Sequence, residues 1–238
     1  MLPRLAATVF LAATLHGCLT YEYEHEFWLR VDGSGTVHVT GRPALWTAFK
    51  GLGDPKDPDK TVTKEAVREL FERSGLKVER VTLTRRRGQS YLFVSAEFSD
   101  VNRLSYTPAF PDLRVALVRD DGRLRLEGSW RRPLDAPDVG DRDRGGLMAV
   151  RFHLPSRVYS HQNAADGVER GNILSWREAV ASALEGRRLE FGAVMDERSI
   201  LFSTVLLFAS SVVLAVLLLA GGLWAVVRRG RRDLQSTD

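Results

Sequence analysis

The sequence predicts an α+β fold, an antiparallel sheet with one or two covering helices, followed by a single carboxy-terminal transmembrane helix. Runs of alternating apolar and polar residues recur between Gly- and Asp-rich turns from Tyr21 to Met195, the period of half-buried strands. A capped amphipathic segment follows Thr63. Residues 200–227 then carry no charge over about 28 positions, longer than a soluble core helix and long enough to cross a bilayer.

Tyr21 to Val31 places Tyr21, Tyr23, Phe27, Leu29 and Val31 on one face, Asp32-Gly33-Ser34-Gly35 turns the chain, and Thr36 to Thr40 returns beside it. Glu22, Glu24 and Glu26 fall on the opposite face, spaced too widely along a strand for one tight cation site, so a solvated face is expected. Pro43 to Phe49 fits a short helix with Leu45, Trp46 and Phe49 inward, ended by Gly51 and Gly53, before a loop through Asp54 to Asp59. Thr63 reads as an N-cap, Val62 and Val67 as a hydrophobic staple, and Val67, Leu70 and Phe71 as the buried stripe of a helix that Gly75 ends. Alternation resumes in two hairpins: Val78 to Thr84 with Tyr91 to Phe98 around Arg87-Gly88, and Leu113 to Arg119 with Leu124 to Trp130 around Asp121-Gly122. Arg131 to Gly146 reads as an exposed loop and Leu147 to Leu154 as a strand. Ser175 to Glu178 satisfies two readings, a capping box opening a helix towards Leu184, or the end of a strand through Ile173 to Trp176. Leu189 to Met195 is the last strand.

The 238 residues are 44% hydrophobic and 27% charged, which excludes a disordered or fibrous chain. Between the terminal apolar segments lie about 180 residues, Leu19 to Arg198, a one-domain length. The pI near 9.4 overstates the basicity of that domain. Arg4, Arg228, Arg229, Arg231 and Arg232 supply most of the excess charge, so no nucleic-acid partner is expected. No HExxH, GxSxG, Walker A or strand-linked GxGxxG pattern occurs, so no catalytic residue, cofactor or metal is assigned. Asp120-Asp121, Asp141 and Asp143 sit where turns and loops favour aspartate, and Ser160, His161 and Asp166 share a loop that fixes no geometry. The aromatics, among them Tyr23, Phe27, Trp46, Phe49, Trp130, Phe152 and Trp176, either fill the core or line a hollow for an acyl chain. Arg85, Arg86 and Arg87 crowd one turn, for which an exposed polar hairpin and a contact with anionic headgroups are both adequate accounts.

The ends of the chain give a topology. Arg228, Arg229, Arg231 and Arg232 follow the uncharged segment, whereas Asp196, Glu197 and Arg198 before it nearly cancel. The positive-inside rule therefore puts residues 228–238 in the cytoplasm as a short basic tail, residues 199–227 in the membrane and the domain outside. At the other end Arg4 precedes an apolar run from Leu5 to Leu15, too short to span and suited to a secretory signal. It stops at Leu15-His16-Gly17-Cys18, which resembles a bacterial lipobox, although His16 stands where the motif prefers a small or β-branched residue. The resemblance implies removal of residues 1–17 and diacylation of Cys18, which would hold the extracytoplasmic domain, residues 18–198, at both ends. Ordinary signal cleavage nearby and an uncleaved anchor are the alternatives. With Cys18 the single cysteine, an internal disulfide is excluded.

The order of lipobox, hairpin, helix, antiparallel strands and carboxy-terminal span, together with Val150-Arg151-Phe152-His153-Leu154-Pro155-Ser156-Arg157-Val158, Asn163 and Asn172-Ile173-Leu174-Ser175-Trp176, resembles the LppM-type family of bacterial membrane lipoproteins. The resemblance implies an extracytoplasmic α+β domain of a lipid-binding type and brings no catalytic motif. The function expected is that of a non-enzymatic, membrane-anchored module at the bacterial cell membrane that binds a membrane lipid or another envelope component, marked by a cavity beneath the sheet. A scaffold or assembly partner of another membrane protein, marked by a filled core, is the alternative. An envelope hydrolase is the third reading.

Overall fold

The computed structural model describes residues 21–138, 140, 143–168, 172–198 and 200–235. In chain order these form β1 (Tyr23–Leu29), β2 (Gly35–Gly41), α1 (Pro43–Lys50), α2 (Pro58–Thr61), α3 (Lys64–Arg73), β3 (Lys77–Arg86), β4 (Gln89–Phe98), α4 (Val101–Leu104), β5 (Leu113–Asp120), β6 (Arg123–Trp130), β7 (Leu147–His153), β8 (Val158–Gln162), β9 (Ile173–Ala179), α5 (Val180–Leu184), β10 (Leu189–Asp196) and α6 (Ile200–Gln235). The fold is α+β and mainly antiparallel, as expected. The strands divide into two sheets, one of six strands in the order β3-β4-β2-β1-β7-β9 and one of four in the order β5-β6-β10-β8. The β1–β7 pair is parallel.

The division has a local cause. Asp100 caps α4 by accepting from the Asn102 amide, 2.9 Å away, and α4 then lies along the free edge of β5. There the Asn102 side-chain carboxamide accepts from Leu117 N at 2.6 Å and donates to Leu117 O at 3.3 Å, while Ser105 Oγ accepts from Val115 N at 2.9 Å. These side chains stand in for a neighbouring strand and close an edge that would otherwise pair further.

The core lies between the inner faces of the two sheets and beneath α1 and α3. Phe27 and Phe152 stack with centroids 4.6 Å apart, Phe49 meets Trp130 edge-on at 4.7 Å, and Trp176 packs at 5.6 Å from Phe191. All of α1 is buried, not one stripe of it. Pro43 opens this helix, and Gly51 ends it in the left-handed region at φ 64, where its N–H donates to Thr47 O. In α3, Thr63 accepts from Ala66 N at 3.2 Å and Val67, Leu70 and Phe71 point inward, so the cap and stripe are as expected.

One open reading is decided for the strand and one local expectation is corrected. Residues 173–179 continue as strand, because Leu174 and Trp176 alternate into the core and β9 pairs with β7 through Val150↔Trp176. The Ser175–Glu178 capping box does not form; α5 starts after Ala179 with no side-chain cap. The Asp54–Asp59 loop is shorter than expected, since Pro58 starts the single turn of α2. Within α6, the apolar stretch Thr204–Trp224 could cross a membrane, and the helical backbone continues through the basic cluster to Gln235.

Candidate functional site

Three polar clusters stand out, and they differ in how their charge is compensated. The first is inside the core. Asp112, just before β5, accepts from Lys50 Nζ at 2.6 Å and from the Trp130 indole at 2.9 Å, and the His25 ring lies 3.7 Å away. Tyr23 OH is 3.2 Å from the same imidazole, and Lys50 Nζ lies 4.5 Å from the centre of the Phe110 ring. Burial pushes Asp112 up against the pull of Lys50, and pushes Lys50 down against the pull of Asp112. Burial and then the Lys50 charge hold His25 well below the usual histidine range. Lys50 and Asp112 side chains have no exposed surface, so this node joins α1 to both sheets and meets no substrate. Its sequence signal was a lysine in the last turn of an apolar helix.

The second cluster lies on the outer face of the six-stranded sheet. Side-chain alternation puts Glu24, Glu26 and Trp28 of β1 there, beside His38 of β2 and Arg151 and His153 of β7. His153 Nε2 is 2.7 Å from Glu26 Oε1; Arg151 Nη1 reaches Glu26 at 3.3 Å and Glu24 at 3.5 Å. Trp28 stacks on His153 with centroids 4.4 Å apart and touches His38 at 4.2 Å, and His38 meets Phe93 at 5.0 Å. Both glutamate side chains are about 19% exposed, which corrects the solvated comb: neighbouring aromatic and arginine side chains cover them. Burial raises Glu24 to about 7 despite Arg151. Burial also raises Glu26, but its bond to His153 and the charges of His153 and Arg151 outweigh this and leave it below its usual value. Burial lowers His38.

The third cluster lies on the outer side of the four-stranded sheet. A cleft of about 810 Å³ opens between the α4–β5 loop and the chain after β6, and a second of about 410 Å³ adjoins it, sharing Ser105, Tyr106, Arg114, Ser129 and Arg188. Arg114 donates to the Ser105 and Leu113 carbonyls, Arg131 to Gly186 O, and Arg132 to the Leu184, Ala136 and Pro137 carbonyls. Among the described residues none of these three guanidiniums meets a carboxylate.

The residues singled out from sequence scatter. Arg85 and Arg86 alternate to opposite faces of β3; Arg85 lines a cleft with Arg42 and Asp143, Arg86 lies 5.4 Å from the centre of the Tyr91 ring, and Arg87 turns the chain at φ 50. They do not form one patch. Ser160 and His161 are in edge strand β8, not a loop, and Asp166 pairs with Arg177. Asp143 pairs with Arg42 at 2.8 Å. Cys18, residues 1–17 and Asp141 lie outside the described residues, as do the side chains of Arg228, Arg229, Arg231 and Arg232. Of the two accounts of the aromatics the filled core holds, and the cavity that marked the lipid-binding expectation does not: Tyr23, Phe27, Trp46, Phe49, Trp130, Phe152 and Trp176 are fully buried in one core cluster.

No protein-family model matches the chain, and no curated protein matches it. Among solved structures, the chain is similar to the NMR structure of the folded domain of LppM from Mycobacterium tuberculosis, with 16% sequence identity, coverage of 75% of this chain and 92% of that one, and a TM-score of 0.37.

Proposed function

We propose that this chain is a non-enzymatic module of the bacterial cell membrane, anchored by α6 with its α+β domain outside, that binds a lipid headgroup or another envelope component on the surface of its sheets. The apolar helix supports the membrane anchor, while the filled aromatic core, the mark expected of the scaffold alternative, removes an enclosed site and leaves the outer faces for binding. A domain with no hollow among its core aromatics cannot enclose an acyl chain there, so recognition falls to the outer faces. The test is mass spectrometry of what co-purifies with the full chain from native membranes, after crosslinking from Trp28. A stoichiometric lipid or envelope polymer is expected; a single protein neighbour, with no such component, would make the scaffold reading correct.

The orientation is tested separately. A membrane-impermeant thiol reagent should label Ser90→Cys in intact cells and spare Ser236→Cys, and the reverse pattern would overturn it. The hydrolase reading has one observation in its favour, that Glu24 and Glu26 are neighbours on one face with values driven apart, the pattern of an acid and base pair. Glycan hydrolysis by the full chain that Glu24→Gln abolishes would establish it.

A further inference from the structure

In the larger of the two clefts over the four-stranded sheet the arginines outnumber the carboxylates, and we propose that this cleft, continued by its neighbour, binds an extended acidic polysaccharide. This rests on the surface-binding reading above and names its ligand. In the larger cleft Arg114, Arg131 and Arg132 face one uncommitted carboxylate, Asp135, because Asp112 is taken by Lys50; the fourth arginine, Arg188, pairs with Glu190 at 3.6 Å on the wall of the adjoining cleft, which Glu127 also lines. Arg114, Arg131 and Arg132 are held by backbone carbonyls, which fix each guanidinium without cancelling its charge. A planar guanidinium positioned in this way presents its remaining N–H groups to a carboxylate or phosphate.

Two features favour a chain of sugars over a single ion. The clefts adjoin, and their shared wall carries Tyr106, which is 89% exposed and offers an aromatic face to a sugar ring. They also lie at the far end of β10 from α6. Leu189 pairs with Trp130 beside the cleft, while Asp196 leads into the helix, so about 24 Å of strand separates the two ends. A headgroup in the membrane that α6 crosses would not be the nearest source of anion.

The experiment uses the full chain in nanodiscs of neutral lipid, titrated with a hexasaccharide of galacturonic acid, with its neutral glucose counterpart, and with inorganic phosphate. Binding of the acidic sugar alone is expected, weakened about tenfold or more by Arg114→Gln with Arg131→Gln. Arg80→Gln, on the other sheet, should leave it unchanged. Equal binding of the neutral sugar, phosphate as tight as the hexasaccharide, or unchanged affinity in the double variant would each overturn the proposal. Tighter attachment to vesicles of phosphatidylglycerol than to the sugar, lost in the same variant, would assign the clefts to lipid instead. If the acidic sugar fails to bind while an envelope component still co-purifies from membranes, the ligand is wrong and the surface-binding reading stands. Thermal melting of the double variant within a few degrees of the parent shows that the fold is intact, and Tyr106→Ala gives an independent loss without touching charge.

Discussion

The two sheets expose outer faces that differ in how fully their charges are answered. On the six-stranded sheet the charges answer one another: Arg151 with Glu24 and Glu26, His153 with Glu26, Lys77 with Glu97. On the four-stranded sheet Arg125 answers Asp120 and Glu127 and Arg188 answers Glu190, but Arg114, Arg131 and Arg132 beside the larger cleft are answered by carbonyls. A face that balances its own charges has little left for a ligand, and its groups act on stability and pH response. A face with fixed, uncompensated guanidiniums can recognise an anion without first breaking a pair. The contrast separates polar residues that hold the fold from polar residues that face outward for binding.

The largest effect should come from the core node that lies between these faces. Lys50→Met keeps most of the volume but leaves Asp112 buried with only the Trp130 indole, and should cost about 3–5 kcal/mol, read as a lower denaturant midpoint at unchanged slope. Adding Asp112→Leu should restore much of the loss, since removing both charges avoids an uncompensated one. A loss under about 1 kcal/mol in the single variant would mean that the node is solvated and not part of the core.

Arg151→Ala should come next. It removes the cation shared by two glutamates that are about 19% exposed, with an expected loss of about 2 kcal/mol at neutral pH. The loss should shrink as pH falls through about 7, where Glu24 becomes protonated and asks for no partner. A loss independent of pH would place the role of Arg151 in packing across Tyr21, whose ring centre lies 5.5 Å from the guanidinium.

How far these faces could be read from sequence depends on what fixes each feature. Alternation marks inward and outward residues strand by strand, so Glu24 and Glu26 are placed together on the outward face from sequence. The neighbour that buries them, β7, lies more than a hundred residues away and pairs in parallel, and no local pattern reports a long-range parallel partner. The caps of α1 and α3 were legible because the capping residues and their targets are within a turn. The Ser175–Glu178 spacing left helix and strand open, and tertiary burial of Trp176 decides for the strand over a local cap worth about 1 kcal/mol. The arginines of the cleft were invisible for the same reason as β7: Arg114, Arg131 and Arg188 converge only when β5, β6 and β10 pair.

A smaller effect separates the faces by pH. Glu24 has its folded value raised from 4.5 to about 7, so it contributes stability below pH 4.5 and withdraws it as pH rises through 7. His25 acts in the other direction: held well below 6.5 by burial, it contributes stability above pH 6.5 and withdraws it as the solution is made more acidic. Glu24→Gln should therefore raise the stability at pH 8 relative to that at pH 5 by about 2 kcal/mol compared with the parent, leaving the acid limb set by His25. Parallel stability curves for the two proteins across this range would remove Glu24 from the account.

The smallest effect is the one that sharpens the contrast most. Arg131 is exposed, and its hydrogen bond is to Gly186 O at 3.1 Å. A carbonyl at the surface can turn to water when the guanidinium is removed, and no buried carboxylate is left behind. Arg131→Gln should accordingly change stability by less than about 0.5 kcal/mol, with no dependence on pH between 5 and 8. If it instead destabilised the domain as much as Arg151→Ala, the guanidiniums of the cleft would be braces like those of the opposite sheet, and the difference between the two faces would be one of partner type alone. A near-zero value leaves a cation that the fold does not need, held in place at the edge of a cleft.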